Sequence, residues 1–162
     1  MISTSTVLTP LGQLALFADD HALFSICFPG TRKRQRPPAR LAGDDHPLLC
    51  QAKAQLEEYF QGKRKTFDLL LCPQGTAFQQ AVWTIIEQIP FGQTRTYGEI
   101  ATLLGNNNKA RAVGGAANKN PLPIVIPCHR VIGSSGSLTG FAGGLTIKRY
   151  LLNLEQRVAG QQ

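Results

Sequence analysis

The densest chemistry in the chain lies at Cys128, His129 and Arg130, inside the apolar run Ile126-Pro127-Cys128-His129-Arg130-Val131-Ile132. A cysteine attacks as its thiolate, and a histidine base or neighbouring cations raise the thiolate fraction. Adjacency in sequence is not contact, because successive side chains of a strand point to opposite faces. A working Cys128–His129 pair therefore needs a turn or a bridging water. Pro121, Pro123 and Pro127 exclude a regular helix on the approach, and each removes a backbone donor, which places Cys128 where an extended segment bends. The plainer alternative is a buried structural cysteine at a strand end.

The bulk properties restrict what can surround this stretch. A chain of 162 residues, 43% of them hydrophobic, suits one ordinary domain or two small ones with a real core. No apolar run approaches the roughly 20 residues of a membrane span, and no charged-then-apolar leader opens the chain, so a soluble, cytosolic protein is expected. Cys27, Cys50, Cys72 and Cys128 are widely spread, with no CxxC pair and no Cys/His cluster at zinc-ligand spacing. Neither a disulfide scaffold nor a metal site is signalled. Lys and Arg number 17 against 10 acids, for a net charge of +7. Such an excess suits a polyanionic partner, nucleic acid first, although solubility alone also accounts for it.

The elements that position the cysteine fall into two groups. Val7-Leu8, Leu14 to Phe17 and Leu23 to Phe28 read as a β meander, broken by Thr9-Pro10-Leu11-Gly12 and Asp19-Asp20-His21. The basic, proline-containing segment from Thr31 to Arg40 reads as a solvated loop, with DNA contact as the alternative. Asp45 then precedes a helix from Pro47 to Gln61, with Gly62 as its stop, and Thr66 to Leu71 reads as a further strand. Cys72-Pro73-Gln74-Gly75 breaks the pattern, which sets an α/β domain at 1–72 and a mainly helical domain at 73–162.

In the second group, Thr76 with Gln79 and Thr96 with Glu99 match capping boxes. The first opens a helix with core residues Phe78, Val82, Ile85, Ile86 and Ile89, and Trp83 reads as packing. The second opens a helix from Tyr97 to Leu104. Gly105 and Asn106-Asn107 lead at once into a third helix, about Lys109 to Asn118, so the pair reads as a helix-turn-helix. Gly114 and Gly115 should cost this third helix about 1 kcal/mol each relative to alanine. Either a DNA backbone or groove needs the close approach, with Lys109 and Arg111 supplying charge, or the helix packs tightly inside its own domain. The Gly-rich stretch from Gly133 to Gly144 suits the wall of a pocket for a flat ligand, and Thr146 to Leu154 reads as a last helix. No GxGxxG or GxxxxGK[ST] pattern occurs, so no nucleotide cofactor is expected.

Taken together, Arg111-Ala112-Val113-Gly114-Gly115-Ala116, Asn120-Pro121, Pro123-Ile124, the Ile126–Ile132 run and Gly143-Gly144 through Lys148 resemble the O6-alkylguanine-DNA alkyltransferases. The match is dense over Gly75 to Glu155 and weaker, though in order, before it. The resemblance implies a ribonuclease-H-like N-terminal α/β domain and a C-terminal helical domain holding a helix-turn-helix of winged-helix type. It implies a monomer that binds double-stranded DNA containing O6-alkylguanine through the minor groove, flips the nucleotide out, and takes the alkyl group onto Cys128, with O4-methylthymine as a second substrate. Small residues at Gly114, Gly115 and Ala116 suit that narrow groove.

By position, the resemblance makes His129 the base acting through a water, Glu155 the carboxylate that orients it, and Asn120 the brace of the network. Arg111 replaces the flipped base in the stack, and Tyr97 helps rotate the nucleotide and donates a proton toward the guanine ring. Pro123, Val131, Phe141, Ala142 and Lys148 fall at the substrate pocket. Phe141 departs from the tyrosine of many members, so a hydroxyl contact is replaced by ring packing alone. The Cys/His set of the N-terminal zinc site found in some members is missing, and no metal is expected. A thioether at Cys128 has no easy leaving group, so each molecule should act once. Three rivals compete: a damage sensor that binds lesions without transfer, which the presence of Cys128 disfavours; a helix-turn-helix regulator, for which no dimerisation element is seen; and a Cys/His hydrolase.

Overall fold

A computed structural model describes residues 1–30, 37–43, 45–138, 140, 141 and 143–161. Most of the basic segment, residues 31–36, and the pocket candidate Ala142 lie outside the described residues. The chain divides into two units, Met1–Gln74 and Gly75–Gln162.

In the first unit the meander forms β1 (Ser3–Thr9), β2 (Gly12–Ala18) and β3 (Leu23–Cys27). The sheet order is β3-β2-β1-β4, where β4 is the two-residue strand Arg40–Leu41. The meander is antiparallel, and β4 lies parallel to β1. Its turns have local causes. Gly12 takes φ +101°, where a side chain is strained, and a Cβ there would lie 2.9 Å from Pro29. Asp19 Oδ1 accepts from the His21 and Ala22 amides at 2.7 and 2.8 Å, an Asx turn that holds its carboxyl below the usual range. Leu14 to Ala18 are all buried, because Ala15 and Phe17 pack with Cys27 on one face while helix α1 (Pro47–Phe60) contacts β1 and β2.

Three expectations change here. The N-cap of α1 is His46 rather than Asp45: His46 Nδ1 accepts from the Leu49 amide at 3.3 Å. Asp45 accepts instead from the Gly43 amide and from Arg40, which lowers its carboxyl. Thr66 to Leu71 forms no strand beyond a single bridge between Leu71 and Leu23. The backbone of Asp68 is taken up by Gln55, whose amide donates to its carbonyl at 3.0 Å and accepts from its N–H at 2.9 Å. Arg40, expected in a loop, pairs with β1.

The second unit opens with α2 (Ala77–Glu87), then β5 (Arg95–Thr96), α3 (Tyr97–Leu103), a 3-10 turn at Asn107–Lys109 and α4 (Ala110–Asn118). A second 3-10 turn at Cys128–Arg130 leads into β6 (Val131–Ile132), and α5 (Leu145–Ala159) follows. Both capping boxes form, with Thr76 and Thr96 accepting from the Gln79 and Glu99 amides at 3.1 Å. Strand β5 pairs in parallel with β6, which ties the start of α3 to the residues after Cys128. Helix α4 packs on α2 and α3, burying Val113, Ala116 and Ala117. Trp83 does more than pack: its indole N–H donates to the Ala116 carbonyl at 2.9 Å. The last helix runs five residues past Leu154, which brings Glu155 inside it.

Candidate active site

Cys128 sits on the 3-10 turn, where Pro127, at φ −80° and ψ 64°, bends the extended approach. The approach is wound tightly. Asn120 donates from Nδ2 to the Ile126 carbonyl at 2.7 Å and accepts from the Leu122 amide at 2.9 Å, while Ile126 N–H reaches the Leu122 carbonyl at 2.8 Å. Within this loop the buried Ile124 takes φ +75°, a left-handed conformation that costs a β-branched residue roughly 1–3 kcal/mol. Asn120's two backbone bonds hold the loop against that strain.

Because the turn is 3-10, His129 and Arg130 both point into the unit and meet α5. Their exposures are 0% and 5%, against 1% for Glu155. His129 Nε2 lies 2.6 Å from Glu155 Oε2, so a neutral imidazole donates from Nε2, and its Nδ1 is buried without a hydrogen-bond partner. Arg130 clamps the same carboxylate, Nε to Oε1 at 2.8 Å and Nη2 to Oε2 at 3.0 Å, and sends Nη1 to the Ile89 carbonyl at 2.6 Å. The Gly92 amide also donates to Glu155, at 3.2 Å. Burial pushes the Glu155 carboxyl up, but the bonds and charges of His129 and Arg130 outweigh it and hold the group well below the usual carboxylate range. Burial lowers the basicity of His129 against the pull of Glu155.

The thiol itself is not a standing thiolate. Burial pushes Cys128 up to about 11, although the Asn120 side chain and the Lys148 charge both favour ionisation. Lys148, wholly buried on α5, is pulled down to about 8 by the same desolvation and donates to the Val131 carbonyl at 2.5 Å. It also donates to the Tyr97 hydroxyl at 3.5 Å, and that hydroxyl lies 3.4 Å from the Gly140 carbonyl.

Tyr97 joins this cluster to a groove of about 520 Å³, lined among others by Gly98, Arg111, Gly114, Gly115 and Ser134. Arg111 is exposed there. A Cβ on Gly115 would meet nothing within 4 Å, so internal packing does not require that glycine. The inner face of α4 does need small residues, and Ala116 belongs to that face rather than to the groove. Lys109 occupies the N-cap position of α4 without a side-chain capping bond, its ammonium lies 5.4 Å from the Phe78 ring centroid, and it is no part of the groove lining. Pro123, Val131 and Phe141 are buried, and Cys128 does not line the groove.

The structure thus gathers Cys128, His129, Asn120, Lys148, Tyr97 and Glu155 in one unit and adds Arg130, which the sequence offered only as a cation beside the thiol and which is instead the partner of Glu155. Its signal was present in the Cys-His-Arg succession, but a buried arginine is recognisable only once its carboxylate partner is known. Among the described residues, no group of three or more His, Cys, Asp or Glu side chains is arranged to hold a metal ion. Nor, among the described residues, is any helix long and apolar enough to cross a membrane.

Residues 77–157 match the 6-O-methylguanine DNA methyltransferase DNA-binding domain, and residues 2–73 match the ribonuclease-like domain of the same methyltransferases. A methylated-DNA–protein-cysteine methyltransferase of Methanosarcina acetivorans is 47% identical over 148 residues, covering 91% of this chain and 94% of the relative. The constitutive one of Bacillus subtilis is 44% identical over 156 residues, with 94% of each covered. The crystal structure of the Mycobacterium tuberculosis O6-methylguanine methyltransferase superposes with a TM-score of 0.89 at 41% identity, over 97% of this chain and 94% of that one. The same organism's protein in complex with DNA gives 0.88 at 40% identity, over 96% and 94%.

Proposed function

Since the chain belongs to the 6-O-methylguanine DNA methyltransferase family, we propose that it repairs DNA by moving the alkyl group of O6-alkylguanine onto Cys128. Methylated-DNA–protein-cysteine methyltransfer is the activity of its curated relatives. The observation that carries the assignment to residues is the buried cluster in which His129 and Arg130, on the turn that bears the thiol, meet Glu155 of α5. His129 takes the Cys128 proton at Nδ1 through a bridging water. The new thiolate attacks the alkyl carbon; the S–C bond forms, the C–O6 bond breaks, and the electron pair passes to the guanine ring, which receives a proton from Tyr97. Lys148 donates to the Tyr97 oxygen and so makes that phenol a better acid.

A base stacked in a duplex cannot present O6 to a buried thiol, so the nucleotide is flipped out. In this reading α3 and α4 act as a helix-turn-helix at the minor groove, Arg111 fills the vacated stack, and Gly114 and Gly115 let the helix approach. Pro123, Val131, Phe141 and Ala142 wall the guanine pocket. The first domain is structural and the second binds DNA and accepts the alkyl group. The protein acts as a cytoplasmic monomer, once per molecule, and O4-methylthymine is a second substrate. Mass spectrometry of the Cys128 peptide after incubation with an O6-methylguanine duplex should show a gain of one methylene unit that Cys128→Ser lacks. An unmodified peptide overturns the assignment, and multiple turnovers overturn the single-use reading.

A further inference from the structure

The methyltransferase reading uses His129 as a base, and a base must be free of its proton at the start. A buried carboxylate facing an imidazole normally works against this, because the lowest-energy way to compensate the carboxylate is to protonate the ring. Here Glu155 already has a compensating cation. Arg130 is charged at any working pH, and its planar fork covers both carboxylate oxygens, at 2.8 and 3.0 Å. The third arm of the guanidinium is fixed on the Ile89 carbonyl at 2.6 Å, and the group lies 5.7 Å from the Phe91 ring centroid.

We propose that Arg130 is a positioning residue: by saturating Glu155 it keeps His129 neutral in the resting protein, with the proton on Nε2 and the Nδ1 lone pair available to Cys128. The inference rests on the base role given to His129 above. The local charge balance supports it. The groups facing His129 are Glu155 and Lys148 from α5, Arg130 and Cys128 from its own turn, and the neutral Ile89 carbonyl beyond the end of α2 reaches it through Arg130. The carboxylate is thus already compensated by the Arg130 guanidinium, the Lys148 charge acts on the ring as well, and a protonated imidazole would add a third cation to a buried space. The directions agree: burial lowers His129 most, Glu155 raises it, and Arg130 and Lys148 lower it. Without Arg130, Glu155 would have His129 as its nearest cation, and the imidazole would hold its proton to higher pH.

The test has two arms. In the wild-type protein, 15N NMR of the imidazoles, with His129 assigned by its loss in His129→Gln, should show a neutral Nε2–H tautomer at pH 7. An imidazolium at pH 7 overturns the proposal. In the second arm, single-turnover transfer from an O6-methylguanine duplex is followed against pH. In Arg130→Gln the acidic limb should move up by about one pH unit, making the variant up to about tenfold slower on the acidic side, below both limbs, and recovering by pH 9. Arg130→Lys keeps the cation and should keep the limb near its wild-type position. An unmoved limb, or an equal loss at every pH, overturns the proposal. If Arg130→Gln does not fold, the wild-type spectrum and Arg130→Lys still decide. Should the wild type transfer no alkyl group at all, the methyltransferase reading fails, while the spectrum still tests the effect of Arg130 on His129.

Discussion

Trp83 donates its indole N–H to the Ala116 carbonyl across 2.9 Å, so the one tryptophan of the chain is tied to the helix whose exposed side carries Gly115. Its emission therefore reports on α2, α4 and the groove side of α4 together.

Gly75 lies against the far edge of this ring. A Cβ there would sit 2.4 Å from Trp83 Cη2 and 2.7 Å from Gln79 Oε1, the amide that completes the capping box. Gly75→Ala should lower stability by about 1–3 kcal/mol and shift Trp83 emission. Chemical denaturation followed by fluorescence checks this, and unchanged stability would show that the Gly75 backbone yields to the clash.

Gly115 should behave in the opposite way. Its Cβ position is open and its backbone is helical, so Gly115→Ala should raise stability, by up to about 1 kcal/mol. The same methyl occupies the groove, and duplex binding should weaken, more so in Gly115→Leu. Melting curves and fluorescence anisotropy read the two effects separately. Undiminished DNA binding by Gly115→Leu would remove the groove from the DNA interface.

Arg111 is exposed on the groove, away from the buried cluster. Arg111→Ala should slow transfer from duplex O6-methylguanine by roughly tenfold, the kinetic equivalent of about 1.4 kcal/mol. Reaction with free O6-benzylguanine, which needs no extrusion, should be unaffected. Equal loss on both substrates contradicts a role in flipping.

The buried Cys128 thiol couples stability to pH. Its folded-state value, up to about 11 from 9.0, means that the folded protein keeps a proton the unfolded chain releases. The associated stability is full below about pH 9 and is lost as pH rises through about 11, a change of roughly 3 kcal/mol. Serine does not titrate there. The wild type should thus lose about that much relative to Cys128→Ser in urea unfolding between pH 8 and 11. A difference that does not vary with pH would mean that the resting thiol ionises freely.

The features legible in the sequence were those with a local cause. Thr76 with Gln79 and Thr96 with Glu99 announced two helices because a capping box is closed within three residues. The bend at Cys128 followed from Pro127. What stayed hidden depended on partners far along the chain. The strand expected over 66–71 did not form because Gln55, on another element, occupies the Asp68 backbone. Strands β4, β5 and β6 are two residues each, too short to carry an alternating pattern. The buried role of Arg130 required Glu155, 25 residues later, to be placed beside it. For the helix from Ala110 to Asn118 neither reading was complete, since Ala116 and Ala117 serve internal packing while Gly115 faces open space.

The same sequence separation bears on the order in which the protein is made. Cys128, His129 and Arg130 are synthesised before Glu155, and the carboxylate that binds two of them lies on α5. Until α5 has been translated and has docked, Arg130 and His129 lack that anion, and nothing of α5 covers the thiol. The nascent chain therefore passes through a stage in which its most reactive side chain is present without the buried charges that later govern it.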